Sequence, residues 1–236
     1  MNYRSNQSTL SDKAILRYKE HGEIIIEPFR MENLNTSSYD VCLGEHYFRE
    51  QPVKDEWVSN VYNIYSEESV NRIWGDPLIA KPYSHYKDCG VILDNIDLDE
   101  KLIFIHPNET ILAHTEELIG GVSHVSTMMK ARSSMGRNFI EVCKCAAYGN
   151  IGYTNRWVLE ITNNSRNFTI PLVVGRRIAQ IIFFDTEGII NNSYTNAGKY
   201  QDKKTIDELK KSWKPHDMIP KLYLEKPPSM KNSSNK

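Results

Sequence analysis

Residues 130–184, KARSSMGRNFIEVCKCAAYGNIGYTNRWVLEITNNSRNFTIPLVVGRRIAQIIFF, set a cationic turn, a lone carboxylate in an apolar run and two strand-like segments in succession. Arg132, Ser133, Ser134 and Arg137 place two guanidinium groups and two hydroxyls within six residues, beside Gly136, whose bare backbone lets N–H groups approach a ligand closely. Planar Arg donors match phosphate oxygens two at a time, so the turn outlines a polyphosphate cradle; a solvated surface loop is the alternative, since Ser-Ser pairs also simply decorate turns. The run 157–161, WVLEI, carries one acid among apolar residues. At a period of two, Glu160 shares a face with Val158 and opposes Leu159 and Ile161, and the alternation does not say which face is buried. A carboxylate held among apolar neighbours has a raised pKa and suits general acid/base work, whereas one facing water carries no such role.

Outward from this stretch, β-rich runs at 102–105, 110–114, 139–143, 157–162, 169–173 and 178–184 alternate with turns supplied by residues such as Gly175, Asn163 and Asn164. Short strands at that spacing give a mainly β sandwich or barrel. Residues 11–21 read as an amphipathic helix with Ser11 as N-cap, Ala14, Ile15 and Tyr18 on one side and Gly22 as stop. Residues 51–95 form an elaborated connection, rich in Asn, Tyr and Trp, with a short helix at 67–73; its aromatics Trp57, Tyr62, Tyr65 and Trp74 are expected to cover the barrel or a subunit contact. The 236 residues therefore divide into one domain at 1–201 and a C-terminal helix, 205–213, with a flexible polar tail at 202–236 whose last dozen residues are disordered.

Composition removes several function classes. A net charge of −1 with interspersed Lys and Glu offers no basic face for a nucleic-acid polymer, so a nucleotide monomer fits better. No apolar run approaches a membrane span, and the polar start holds no signal peptide, which implies a cytoplasmic protein without a membrane partner. The four cysteines, Cys42, Cys89, Cys143 and Cys145, read as free thiols. His21-Gly22-Glu23 and His114-Thr115-Glu116 both spell H-x-E, but the P-C-x-x-C that completes a zinc deaminase site is missing, so no zinc is expected.

Taken in order, ARSSMGR, CAAYGNIGY, WVLEITN and VGRRIAQIIFF resemble the dCTP deaminases of the trimeric dUTPase superfamily, and the N-terminal segments around Leu10, Ile25 to Phe29 and Asn35 to Gly44 agree, as do 107–117 and 198–201. The resemblance spans roughly two thirds of the chain. It implies a dUTPase-like distorted jelly-roll β-barrel with a few short helices, assembled as a homotrimer with sites at subunit interfaces. It also implies zinc-independent hydrolytic deamination of dCTP to dUTP and ammonia, with Glu160 as general acid/base, Ser133 and the Ala146 backbone holding the water, and Arg137 steering Glu160. Arg132, Ser134, Tyr194, Lys199 and Gln201 would bind the substrate, with Mg²⁺ carried by the triphosphate and no protein metal ligand. Gln180 and Tyr153 remain either structural or sugar-facing.

The chain departs from the family pattern at Ala131, Asn150, Asn155 and Asp202. Asn150 stands where an acidic residue is usual, which speaks against cleavage of the phosphate chain; Asp202 puts the closing of the C-terminal segment in doubt. A dUTP diphosphatase or bifunctional deaminase, and a non-catalytic nucleotide-binding relative, remain as alternatives.

Overall fold

The computed structural model describes residues 9–54, 60–144, 147–189 and 205–225. In chain order its strands are β1 (Ile24–Glu27), β2 (Leu34–Asn35), β3 (Ser38–Cys42), β4 (His46–Arg49), β5 (Leu78–Ile79), β6 (Lys81–Pro82), β7 (Lys101–Ile105), β8 (Thr110–Gly121), β9 (Val125–Ala131), β10 (Ile140–Glu141), β11 (Tyr148–Gly149), β12 (Thr154–Asn163), β13 (Ile170–Val173) and β14 (Arg177–Asp185). Among the described residues five short α-helices, α1 (Asp12–Glu20), α2 (Glu67–Trp74), α3 (Tyr83–Lys87), α4 (Ser133–Arg137) and α5 (Ile206–Ser212), accompany them. No described helix is long and apolar enough to cross a membrane.

The expected mainly β architecture is what forms. One sheet runs β10-β12-β8-β4-β5 with β1 also on β8, a second runs β11-β9-β14-β3-β2, and a third runs β13-β7-β6. Their inner faces close on one core that includes Ile15, Tyr39, Ile103, Leu159, Ile161 and Phe183. The strand β8 is buried along nearly its whole length, as a strand covered on both faces must be. It runs to Gly121, well past the end expected at residue 114. The expected strand at 139–143 shrinks to Ile140–Glu141, because Phe139 and Cys143 take φ of 65° and 109°, outside the extended region.

The helix α1 forms as its pattern requires, burying Ala14, Ile15 and Tyr18 and ending before Gly22 at φ 74°. At the other end Thr205 and Glu208 make a capping box for α5. A 3-10 turn at Pro215–Met218 follows. Met218 and Ile219 then join Phe48, Val70 and Leu112 in a second apolar cluster, against which Tyr62, Trp74, Val158, Trp213 and Tyr223 pack. The connection around α2 and the segment 205–225 thus meet on the outer face of the first sheet, where the Tyr223 hydroxyl donates to Glu67 Oε1 at 3.3 Å.

Candidate active site

The strand β12 resolves which face of the WVLEI run is buried. Trp157, Leu159 and Ile161 enter the core, while Arg156, Val158 and Glu160 alternate on the outer face and are half-buried there. That face would meet water in an open sheet; here Trp74, Trp213, Met218 and Pro220 stand over it and enclose a cavity of about 500 Å³. Tyr148 of β11, with Asn150 and Tyr153 of the turn that follows it, lines its other wall. The turn sits tight because Gly149 abuts the Trp157 ring and Thr127 Oγ1, where a Cβ would collide with both, and Tyr153 meets Trp157 edge-on at 5.2 Å.

Burial pushes the Glu160 carboxyl above its ordinary range, against the opposing pull of the backbone N–H groups of Glu160 and Lys144 and of the Lys144 charge. Its Oε2 is buried without a hydrogen-bond partner among the described residues. An unsatisfied buried carboxylate oxygen is costly, and the cavity in front of it has room for a partner.

A second cavity, of about 940 Å³, lies on the other side of the Arg156–Trp213 pair, both of which line it too. Its wall carries six cations, Arg30, Lys101, Arg132, Arg156, Arg176 and Arg177, against Glu32, Glu45 and Glu116. Arg132, expected to grip phosphate, lies here with its Nε 3.3 Å from Asp40 Oδ2, which Arg177 approaches at 3.6 Å. Asp40 is itself pushed up by burial and pulled back by these two cations, so it fixes their position from below.

Within one chain the expected site residues do not converge. Ser133, Ser134 and Arg137 sit on α4, all exposed, and none lines the Glu160 cavity. Ala146, Tyr194, Lys199 and Gln201 lie outside the described residues, as do Trp57, Cys145, Asp202 and positions 226–236. Gln180 is a half-buried position of β14, opposite Asp40 and Lys130.

The H-x-E at 114–116 has a structural use. His114 is buried, its Nδ1 donates to Thr115 O at 2.8 Å, its Nε2 accepts from His46 N at 3.3 Å, and burial pushes its pKa down to about 4. Three residues of β8, Thr115 to Glu117, bulge opposite Trp157. The Arg30 guanidinium meets Glu116 at 2.7 Å and Glu117 at 3.4 Å. Cys42, Glu116 and Glu117 could together face a metal ion, but Arg30 already pairs with both carboxylates, and the cluster borders the basic cleft, not the Glu160 cavity. Cys42, Cys89 and Cys143 are free.

Trp74, Arg156, Trp213 and Met218 are the site residues that the sequence reading missed. Only Arg156 left a signal, its parity with Val158 and Glu160; nothing local says that residues 213–220 return to β12.

Residues 9–186 match the family described as dCTP deaminase-like. A protein named dCTP deaminase, dUMP-forming, from Methanobrevibacter smithii is 28% identical over 175 residues, covering 74% of this chain and 78% of the relative. One of the same name from Hydrogenobaculum is 31% identical over 176 residues, covering 74% and 80%. Among solved structures, the 2'-deoxycytidine 5'-triphosphate deaminase from Agrobacterium tumefaciens superposes with a TM-score of 0.52 at 18% identity over 76% of this chain. The chain spans about half, 49%, of that structure's chain, and the likeness shows a common fold.

Proposed function

The chain belongs to the dCTP deaminase-like family, whose matching relatives are named as enzymes acting on dCTP, and from that premise we propose that it removes the 4-amino group of dCTP by hydrolysis, with Glu160 moving the protons. The observation that carries this is the carboxylate itself: one oxygen buried and without a partner among the described residues, in a cavity with apolar and aromatic walls of a size for a pyrimidine nucleoside.

Hydrolysis at C4 requires that water lose a proton as it adds, that the ring nitrogen N3 gain one, and that the departing amino group gain another. Glu160, with a pKa raised by desolvation, is suited to take the proton that water loses and pass it to N3, then to take the proton of the new C4 hydroxyl and pass it to the departing amino group. The Lys144 N–H favours its ionised form and so keeps it a base at the start. Ser133, Arg137 and the Ala146 backbone are proposed to hold the water and the developing charge, with Ser133 and Arg137 supplied by a neighbouring chain, since in their own chain they face outward. That arrangement is the support for a homotrimer. Arg132 and Ser134, with Tyr194, Lys199 and Gln201, are proposed to bind the triphosphate and its Mg²⁺. No zinc step enters, because Glu160 alone supplies the proton transfers and the described Cys/Glu cluster is occupied by Arg30. A cytoplasmic location accords with a nucleotide-pool enzyme.

The product is proposed to be dUTP, because Asn150 on the cavity wall has no basic site with which to activate water against the phosphate chain. A second reading, release of dUMP, is favoured by the names of the relatives and by a second carboxylate on the cavity, Asp217, which accepts from Lys214 N at 2.8 Å. Incubation with dCTP and separation of dUTP, dUMP, pyrophosphate and ammonia tests both; no ammonia from dCTP would end the deaminase reading.

A further inference from the structure

The Arg156 guanidinium stands on the partition between the two cavities and lines both. Its carbon lies 4.9 Å from the centroid of the Trp213 ring. Every other cation of the basic cleft is engaged: Arg30 with Glu116 at 2.7 Å, Lys101 with Glu45 at 2.6 Å, Arg176 with Glu100 at 2.8 Å, and Arg132 and Arg177 with Asp40. Among the described residues Arg156 has no ion pair; the carboxylates of Glu45, Glu116 and Glu117 act on it only through space. Burial of an uncompensated guanidinium costs free energy, and here it lowers the Arg156 pKa.

Contact with an indole face leaves the in-plane N–H donors of a guanidinium free at its edge, where they can meet two oxygens of one anion. Trp213 is itself held by His114 at 4.7 Å and His46 at 6.1 Å, so it is a fixed platform. Arg156 and Glu160 share one face of β12 four residues apart, about 13 Å along the strand, a separation comparable to the reach of a nucleotide from its base to its phosphates.

We propose that Arg156, presented by Trp213, binds the phosphate chain of the nucleotide whose base stands at Glu160. The assignment rests on the reading of Glu160 as the deaminating carboxylate, and it gives the C-terminal segment a part in substrate binding through Trp213.

The test uses the full chain and inorganic tripolyphosphate, followed by calorimetry in wild type, Arg156→Gln and Arg156→Lys. Arg156→Gln is expected to weaken tripolyphosphate binding and to raise the KM for dCTP at least tenfold, Arg156→Lys to recover part of both, and binding of phosphate-free deoxycytidine to stay unchanged. Equal tripolyphosphate affinity in wild type and Arg156→Gln overturns the proposal and leaves the pair as a tail anchor. Should Arg156→Gln fail to fold, the tryptophan fluorescence of wild type and Trp213→Phe decides. A tripolyphosphate-induced change seen only in wild type supports the site, and no difference between the two removes it. Deamination is assayed in the same preparations. Tripolyphosphate binding through Arg156 without ammonia release from dCTP keeps the anion site and ends the deaminase reading; deamination with an unchanged KM in Arg156→Gln ends the anion site alone.

Discussion

Glu160 on β12 stands directly opposite Leu112 on β8, and Leu112 belongs to the apolar cluster that Met218 and Ile219 complete from the C-terminal segment. The catalytic candidate is therefore desolvated by residues more than fifty positions away in sequence. Glu160→Gln keeps the shape and removes the basic site, so dCTP binding by calorimetry should change little. Ammonia release should fall about 10²–10⁴-fold, the usual worth of a positioned acid/base group. A variant that keeps more than about a tenth of wild-type turnover removes Glu160 from the mechanism.

Met218 provides a handle on the carboxyl itself. Met218→Ala opens the lid over β12 and should cost about 2–3 kcal/mol of stability while admitting water to the cavity. Burial is what raises the Glu160 pKa, so resolvation lowers it, and the acid limb of kcat against pH should move to lower pH. An acid limb that stays put, or moves upward, would separate Glu160 from that limb.

Two buried groups set opposing pH dependences on folding. Burial pushes Glu117 up to about 7, so its contribution is full below its ordinary 4.5 and is lost as pH rises through 7. Burial pushes His114 down to about 4, so its contribution is full above its ordinary 6.5 and is lost as pH falls through 4. The two slopes nearly cancel between about pH 4.5 and 6.5. Glu117→Gln leaves the acceptor for Cys42 N in place and removes one slope. Relative to wild type its stability should then rise across that window, by up to about 3 kcal/mol. Denaturant titrations at the two ends of the window decide it; parallel wild-type and variant profiles would contradict the Glu117 assignment.

Much of this was legible locally. The face shared by Val158 and Glu160 follows from strand parity, and α1 follows from the spacing of Ala14, Ile15 and Tyr18. Which face of β12 lies inward did not follow, because both faces end up covered: one by the core, the other by Trp74, Trp213 and Met218. Those residues return through a connection and a tail with no periodic pattern, and long-range docking of irregular chain leaves no mark on local spacing. Phe139 and Cys143 misled for a related reason, since apolar residues at strand spacing do not disclose a left-handed φ.

The exposure of Ser133 and Arg137 sets up a test of assembly. With Glu160 in one cavity and Arg132 in the other, chains carrying Glu160→Gln and chains carrying Arg132→Ala should each be inactive. Mixed after dissociation, they should regain part of the wild-type rate if Arg132, like its neighbour Ser133, reaches the Glu160 cavity of another chain, because some sites would then combine an intact Glu160 with an intact Arg132. Sedimentation should give three chains per particle. A stable monomer with full activity would show that one chain completes its own site.

The last expectation concerns the product and turns on Asn150 and Asp217, both on the Glu160 cavity. An amide offers an acceptor and donors but no basic site near neutral pH, so water next to Asn150 keeps its proton. Asp217 does have a basic site, yet one of its oxygens already caps the backbone at Lys214, which favours a structural use. Wild type should therefore convert dCTP to dUTP and ammonia and release little pyrophosphate, and Asp217→Asn should leave that ratio unchanged. Asn150→Asp should place a carboxylate on the cavity wall and shift product toward dUMP. If wild type instead yields dUMP, the argument from Asn150 falls; loss of pyrophosphate release in Asp217→Asn, with ammonia release retained, would then assign the second hydrolysis to the C-terminal segment.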